Sequence, residues 1–220
     1  MIRRLYLPAI CALAFFSASA GYAQKHFVKD YKEGFYYSYE DFVSNKIRPL
    51  VTIERRSLFG NKVLQKEDVV DQVFFYRVKD TSKVTDIFAI SFQGNLYFKQ
   101  REMSKHAKKG DRDETGSNPN LYHRVIKDGN FFYMEGMFGS GLAKGLGYGS
   151  GGAVGGAMAS NVNQFKGVIY DFSKNEFDFF RKCKDFNTFL SANQQPEMNC
   201  EDKEYSTMKV REIIDKLISQ

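Results

Sequence analysis

The chain has no tryptophan, three histidines, three cysteines and four prolines. Without tryptophan, a surface that stacks on carbohydrate lacks its strongest aromatic platform. The histidines fall in unrelated contexts: His26 near the start, His106 in a basic stretch and His123 inside an apolar run. Neither a G-x-S-x-G elbow nor an H-E-x-x-H pair occurs, so the usual nucleophile and zinc-peptidase patterns are missing. No catalytic residue and no cofactor site is expected, and the sequence points away from an enzyme. Long apolar runs are scarce too. Leu5 to Phe16 spans about a dozen residues, too few to cross a bilayer comfortably.

That run has a different meaning. Arg3 and Arg4 precede it, and the small residues Ser17 to Ala20, Gly21 and Ala23 follow. A basic head, an apolar middle and small residues at the end describe a secretory signal peptide. The expected divisions are therefore residues 1–23 as signal peptide and 24–220 as one exported domain. Location in the periplasm, at the outer membrane or outside the cell all remain open. Arg3 and Arg4 are the only charges removed, so the formal charge falls from +6 to +4. Such a mildly basic chain suits an anionic envelope surface better than nucleic acid, which is not expected as a partner.

Two cysteines remain, Cys183 and Cys200. An even number in an oxidising compartment predicts one disulfide. No histidine lies near either in sequence, which disfavours a metal site, and no metal ligand set is expected.

Aromatic residues are plentiful, 13 Tyr and 21 Phe. They concentrate in short runs separated by turn residues, the pattern of antiparallel strands. Phe35 to Tyr37, Leu50 to Ile53 and Val73 to Val78 are expected strands. Ile87 to Phe92 and Leu96 to Lys99 form a hairpin around Gln93-Gly94-Asn95. Leu121 to Lys127 and Phe131 to Phe138 form another around Asp128-Gly129. Phe165 to Phe172 and Glu176 to Phe180 form a third. Ser38-Tyr39-Glu40-Asp41 is a capping box that opens a short helix ending at Pro49. Two helices close the chain. Asp185 caps one, with Phe186, Phe189 and Leu190 on one face. Ser206 caps the other, with Val210, Ile213, Ile214 and Leu217 at helical spacing. The disulfide should tie the strand side to this last helix. The expected class is α+β: an antiparallel β-rich sheet or partial barrel of about eight strands, with short helices, two of them C-terminal.

One stretch interrupts the pattern. Residues 139–159 hold nine of the 18 glycines, and Lys144 is their only charge. Four readings apply. A mobile loop follows from the cost of ordering glycine. A glycine zipper follows from two sets spaced by four, Gly141, Gly145 and Gly149, and Gly147, Gly151 and Gly155, which permit close packing against a membrane helix or a second copy. Gly147 to Gly152 also matches G-x-G-x-x-G with Asp171 about 20 residues on. That nucleotide reading fails for want of a βαβ unit and of cofactor outside the cytoplasm. Glycine at irregular spacing excludes collagen. Loop and zipper stay open.

Residues 99–120 form a polar loop that mixes Lys99, Arg101, Lys105, His106, Lys108, Lys109 and Arg112 with acidic residues. Asp111-Arg112-Asp113-Glu114-Thr115-Gly116 opens like a calcium loop, but Tyr122 stands where the closing glutamate belongs. The aromatics suit a packed core, and also a small apolar cavity in the sheet.

Gly34-Phe35-Tyr36-Tyr37-Ser38-Tyr39-Glu40-Asp41-Phe42-Val43-Ser44-Asn45-Lys46 resembles the G-x-Y-x-S/T-x-E-D-F-x-x-N-K opening of exported proteins common in Bacteroidota. The turn Gly94-Asn95-Leu96-Tyr97 is similar as well. Ile47-Arg48 before Pro49 departs from that pattern. The resemblance implies export and an envelope setting, and it brings no catalytic residue. The expected function is that of a non-enzymatic cell-envelope protein, associating with membrane or with itself through the glycine segment. The alternative is a periplasmic module that binds a small apolar ligand or lipid.

Overall fold

The computed structural model describes residues 31–63, 70–111, 118–138, 165–201 and 205–218. The signal peptide, His26, residues 112–117 and the glycine segment 139–159 lie outside them.

Ten strands and four helices make up the described chain. In order they are β1 Gly34–Tyr36, α1 Tyr39–Val43, β2 Ile53–Arg56, β3 Gln72–Arg77, β4 Ala89–Phe92, β5 Asn95–Lys99, α2 Gln100–Lys105, β6 Tyr122–Arg124, β7 Lys127–Asp128, β8 Phe131–Met137, β9 Phe165–Asp171, β10 Glu176–Phe180, α3 Cys183–Ala192 and α4 Thr207–Ile218. All strand pairs are antiparallel. Six strands, ordered β1-β4-β5-β6-β3-β2, curl into half a barrel. A separate sheet has the order β10-β9-β8-β7. The class is α+β, as the pattern of short aromatic runs implied.

Local chemistry explains the turns. Gln93 and Gly94 both have positive φ, 51° and 70°, the conformation a two-residue hairpin requires. Asp171 Oδ1 accepts from the Ser173 amide at 2.8 Å and opens the β9–β10 turn. Ser38 Oγ accepts from the Asp41 amide at 3.1 Å and caps α1.

Several expectations are corrected. Helix α1 ends at Val43, with Asn45 at φ 52°, well before Pro49. The strand expected at Leu50 to Ile53 forms at Ile53–Arg56, where alternation with the facing strand decides the register. Tyr122–Arg124 does not pair with β8. It joins β5 and β3 in the half-barrel, and the Asp128-Gly129 hairpin keeps only Lys127–Asp128 as its first arm. Lys182 is the N-cap of α3, and Asp185 sits three residues in, accepting from the Lys182 amide at 2.9 Å. Residues 99–105 are not a loop: Lys99 ends β5 and Gln100–Lys105 is α2.

Three apolar clusters hold the layers together. Phe42, Phe88, Phe98, Phe132, Tyr170 and Phe177 fill the space between the sheets. Phe35, Val73, Phe75, Ile90, Tyr97 and Tyr122 occupy the other face of the half-barrel. Tyr133, Ile169, Phe180, Phe186, Phe189, Val210 and Ile214 join the four-stranded sheet to α3 and α4. Each such side chain contributes roughly 1.5–3 kcal/mol by burial. Strand β8 reads Phe-Phe-Tyr-Met-Glu-Gly-Met without apolar/polar alternation because both its faces are covered.

Cys183 and Cys200 form the disulfide, with Cα atoms 5.6 Å apart. It joins the first turn of α3 to the segment leading to α4, not to α4 itself. The chain-entropy model assigns its 17-residue separation about 3 kcal/mol. Urea denaturation of a Cys183→Ser, Cys200→Ser variant should show about that loss, and an unchanged midpoint would refute the stabilising role.

Candidate functional site

The stretch from Gly34 to Lys46 builds a clasp. Gly34 is required, because a Cβ there would lie 2.4 Å from the Arg48 carbonyl oxygen. The Tyr36 hydroxyl donates to Asn45 Oδ1 at 3.2 Å. Phe42 is buried against Phe98 and Tyr170. The Lys46 amide donates to the Asp41 carbonyl at 2.7 Å. Tyr39 stacks on His106 with ring centres 4.0 Å apart, and its hydroxyl donates to the Asn175 carbonyl. The motif residues therefore join β1, α1 and the β9–β10 turn.

A pocket of about 90 Å³ remains beneath the clasp, lined by Tyr31, Phe42, Val43, Asn45, Tyr170, Phe172 and Asn175. Burial pushes the Tyr31, Tyr36 and Tyr170 hydroxyls above the ordinary tyrosine range. Ligand pockets usually measure about 300–1,000 Å³, so this one suits a few waters rather than a lipid. A larger depression of about 700 Å³ beside Cys200 is open, with Lys184, Asn187, Glu197, Met198 and Glu201 on its walls.

The second site is the root of the glycine segment. Register places Met137 opposite Phe165, so β8 and β9 hold the two residues flanking 138–164 side by side. His123 packs beneath. A Cβ on Gly136 would lie 2.3 Å from its ring, so only glycine lets β8 pass there. The ring stacks on Phe138 at 4.6 Å. Its Nε2 lies 2.9 Å from Gln100 Oε1 and its Nδ1 3.3 Å from the Glu135 carbonyl oxygen. Burial lowers its pKa to about 4, against a small opposing effect of that carbonyl. Gln72, opposite His123 in the sheet, is 5% exposed, and its side-chain amide has no hydrogen-bond partner among the described residues.

Glu135 points to the helical side. Its carboxylate meets the Arg211 fork, Nε to Oε1 at 2.9 Å, and accepts from the Tyr133 hydroxyl at 2.9 Å. This pair pins α4 to β8.

The remaining sequence candidates do structural work. Asp111 is fully buried; its Oδ2 accepts from the Phe179 amide at 3.1 Å and its Oδ1 lies 3.1 Å from Arg181 Nε. Its carboxylate is thus engaged before any cation arrives, and the residues completing the calcium-like loop lie outside the described chain. Lys108 pairs with Asp178 beside it, and burial raises the Asp178 carboxyl despite that partner. Lys99, expected on a polar surface, is 4% exposed and donates to the Thr85 carbonyl at 2.8 Å. Gly141, Gly145, Gly149, Gly147, Gly151 and Gly155 lie outside the described residues. Among the described residues, no group of three His, Cys, Asp or Glu side chains is placed to hold a metal. Nor is any helix there long and apolar enough to cross a membrane.

Sequence reasoning passed over Glu135 and Gln72. Glu135 had a usable signal, as the lone charge between Phe131 and Phe138. Gln72 had none. Searches of protein-family models, curated proteins and solved structures find no match to this chain.

Two outcomes follow from the buried polar groups. His123 has a lower pKa folded than unfolded, so stability is full above its unfolded value near 6.5 and falls as the pH drops towards 4. Between about pH 7 and pH 5 the loss should reach about 2 kcal/mol, and His123→Gln should flatten that dependence. Urea melts at the two pH values decide it; an equal slope in the variant contradicts the assignment. Arg211→Ala strands a carboxylate whose side chain is 4% exposed. Because Arg211 itself is partly in water, the expected loss is about 2 kcal/mol, largely recovered by adding Glu135→Gln. A double variant no more stable than Arg211→Ala would contradict this.

Proposed function

We propose that this is a non-enzymatic exported envelope protein whose two-sheet body presents residues 139–159 to a membrane. The supporting observation is the Met137↔Phe165 register, which sets the two strands flanking residues 138–164 side by side in one sheet. A linker between independent units would have no such constraint. From Gly136 to Phe165 only Lys144 is charged, which suits entry into an apolar or interfacial medium. Glycine at four-residue spacing permits close backbone approach once there, including to a second copy. The basic head and short apolar run at the start support export. The resemblance of Gly34 to Lys46 to exported Bacteroidota proteins supports an envelope setting.

The mature chain and a variant lacking 139–159 should be compared by co-sedimentation with phosphatidylcholine–phosphatidylglycerol vesicles. Residues 160–164 remain to close the β8–β9 hairpin, a length such turns accommodate. Deletion should weaken binding about tenfold or more. Equal binding by both chains would sink the proposal.

A further inference from the structure

Beyond the glycine segment, the edge of the half-barrel carries a feature that the fold itself does not use. After β2 the chain turns at Ser57 to Asn61 and doubles back, with the Ser57 amide donating to the Asn61 carbonyl at 2.8 Å and the Val63 amide to the Arg55 carbonyl at 2.9 Å. Gly60 has φ +82° and open space around it. Phe59 at the tip is 91% exposed, the most exposed large apolar side chain among the described residues. Tight backbone bonds hold a phenyl ring out in water, where it contributes nothing to the core.

Cations surround its base. Glu54 and Arg56 share one face of β2, opposite Tyr76 and Phe74 of β3. The Arg56 guanidinium lies 4.1 Å from the centre of the Tyr76 ring, and the Lys83 ammonium 4.0 Å from that of Phe74. Lys62 reaches Glu54 at 2.8 Å, and Arg56 reaches the same carboxylate at 2.6 Å. Arg56 and Lys62 thus share one carboxylate, and Lys83 adds a third cation to the aromatic strip that leads to the apolar tip.

Register also places this tip near the root of the glycine segment. Phe74 faces Arg56, Gln72 lies two residues further along β3, and Gln72 faces His123, on which Phe138 stacks. Strands lie about 4.8 Å apart, so β2 and β6 are separated by about 10 Å. The tip and the Phe138–His123 contact thus lie towards the same end of the half-barrel.

We infer that the Leu58-Phe59-Gly60 tip is a second membrane contact, inserting Phe59 among the acyl chains of an anionic bilayer while Arg56, Lys62 and Lys83 meet the headgroup phosphates. The inference rests on the membrane reading above. Apolar side chains gain by leaving water, and long cationic side chains reach back to the interface. A soluble polyanion would engage the cations and leave Phe59 in water, so the chemistry favours a bilayer.

The absence of tryptophan supplies the test. Phe59→Trp puts a single tryptophan at the tip without touching the core. On phosphatidylcholine–phosphatidylglycerol vesicles its emission should move to shorter wavelength and be quenched by lipids brominated high on the acyl chain. Phosphatidylcholine vesicles alone, and a soluble polyanion, should leave it unshifted. Phe59→Asp should lower vesicle affinity about tenfold with an unchanged circular dichroism spectrum. Protein that sediments with vesicles while its emission stays unshifted overturns the tip contact and leaves the segment reading standing. A shifted emission in a chain whose binding does not depend on residues 139–159 overturns the segment reading instead. No sedimentation at all overturns both, and an equal shift on the polyanion overturns the bilayer as occupant.

Discussion

Seven residue pairs hold β8 against β9, from Phe131↔Asp171 to Met137↔Phe165. Nearly everything else in the molecule leans on that ladder. Phe132, Met134, Val168 and Tyr170 leave it on one side and fill the space beneath the half-barrel. Tyr133 and Ile169 leave it on the other and receive α3 and α4. A strand pair covered on both faces cannot slip by one residue without exchanging its two cores. The same ladder sets Met137 and Phe165, which flank the stretch containing the glycine segment, opposite each other.

The buried polar groups sit where that ladder meets its neighbours. Glu135 joins it to α4 through Arg211, and His123 joins it to the half-barrel between Gln100 and the Glu135 carbonyl. Asp111 does the same for β10, through the Phe179 amide. Apolar contact alone is non-directional. Hydrogen bonds to buried groups penalise every arrangement that breaks them, so these residues fix how the layers sit on each other. Asp111, which opens the calcium-like loop in sequence, is occupied in this way, and so is His123. The Gly34 to Lys46 motif behaves alike: its glycine, tyrosine, serine and asparagine each close a contact of the clasp.

Much of the fold was legible because it is local. The Gln93-Gly94 turn, the Ser38 and Ser206 caps and the apolar spacing of α4 depend on residues close in sequence. The failures are non-local. Tyr122–Arg124 follows the same aromatic pattern as β8, yet its pairing in the other sheet depends on β3 and β5, far away in the chain. Leu50 to Ile53 has the composition of a strand, but the partner register begins at Ile53↔Arg77. Lys99 and Asp111 looked like surface charges because their buried acceptors and donors come from Thr85 and Phe179. The exposed Phe59 was invisible too, since nothing in Ser-Leu-Phe-Gly says which way a hairpin tip points.

The functional account joins a rigid base to a weakly charged, glycine-rich segment. Its distinguishing demand is that the base stays rigid up to the last residues before the segment. Native-state hydrogen exchange measures this directly, residue by residue. Inter-strand amides of β8 and β9 should be protected to near the global unfolding free energy as far as Gly136 and Gly167. Exchange at those amides as fast as in an unstructured peptide would contradict the account, because the segment would then hang from a frayed end.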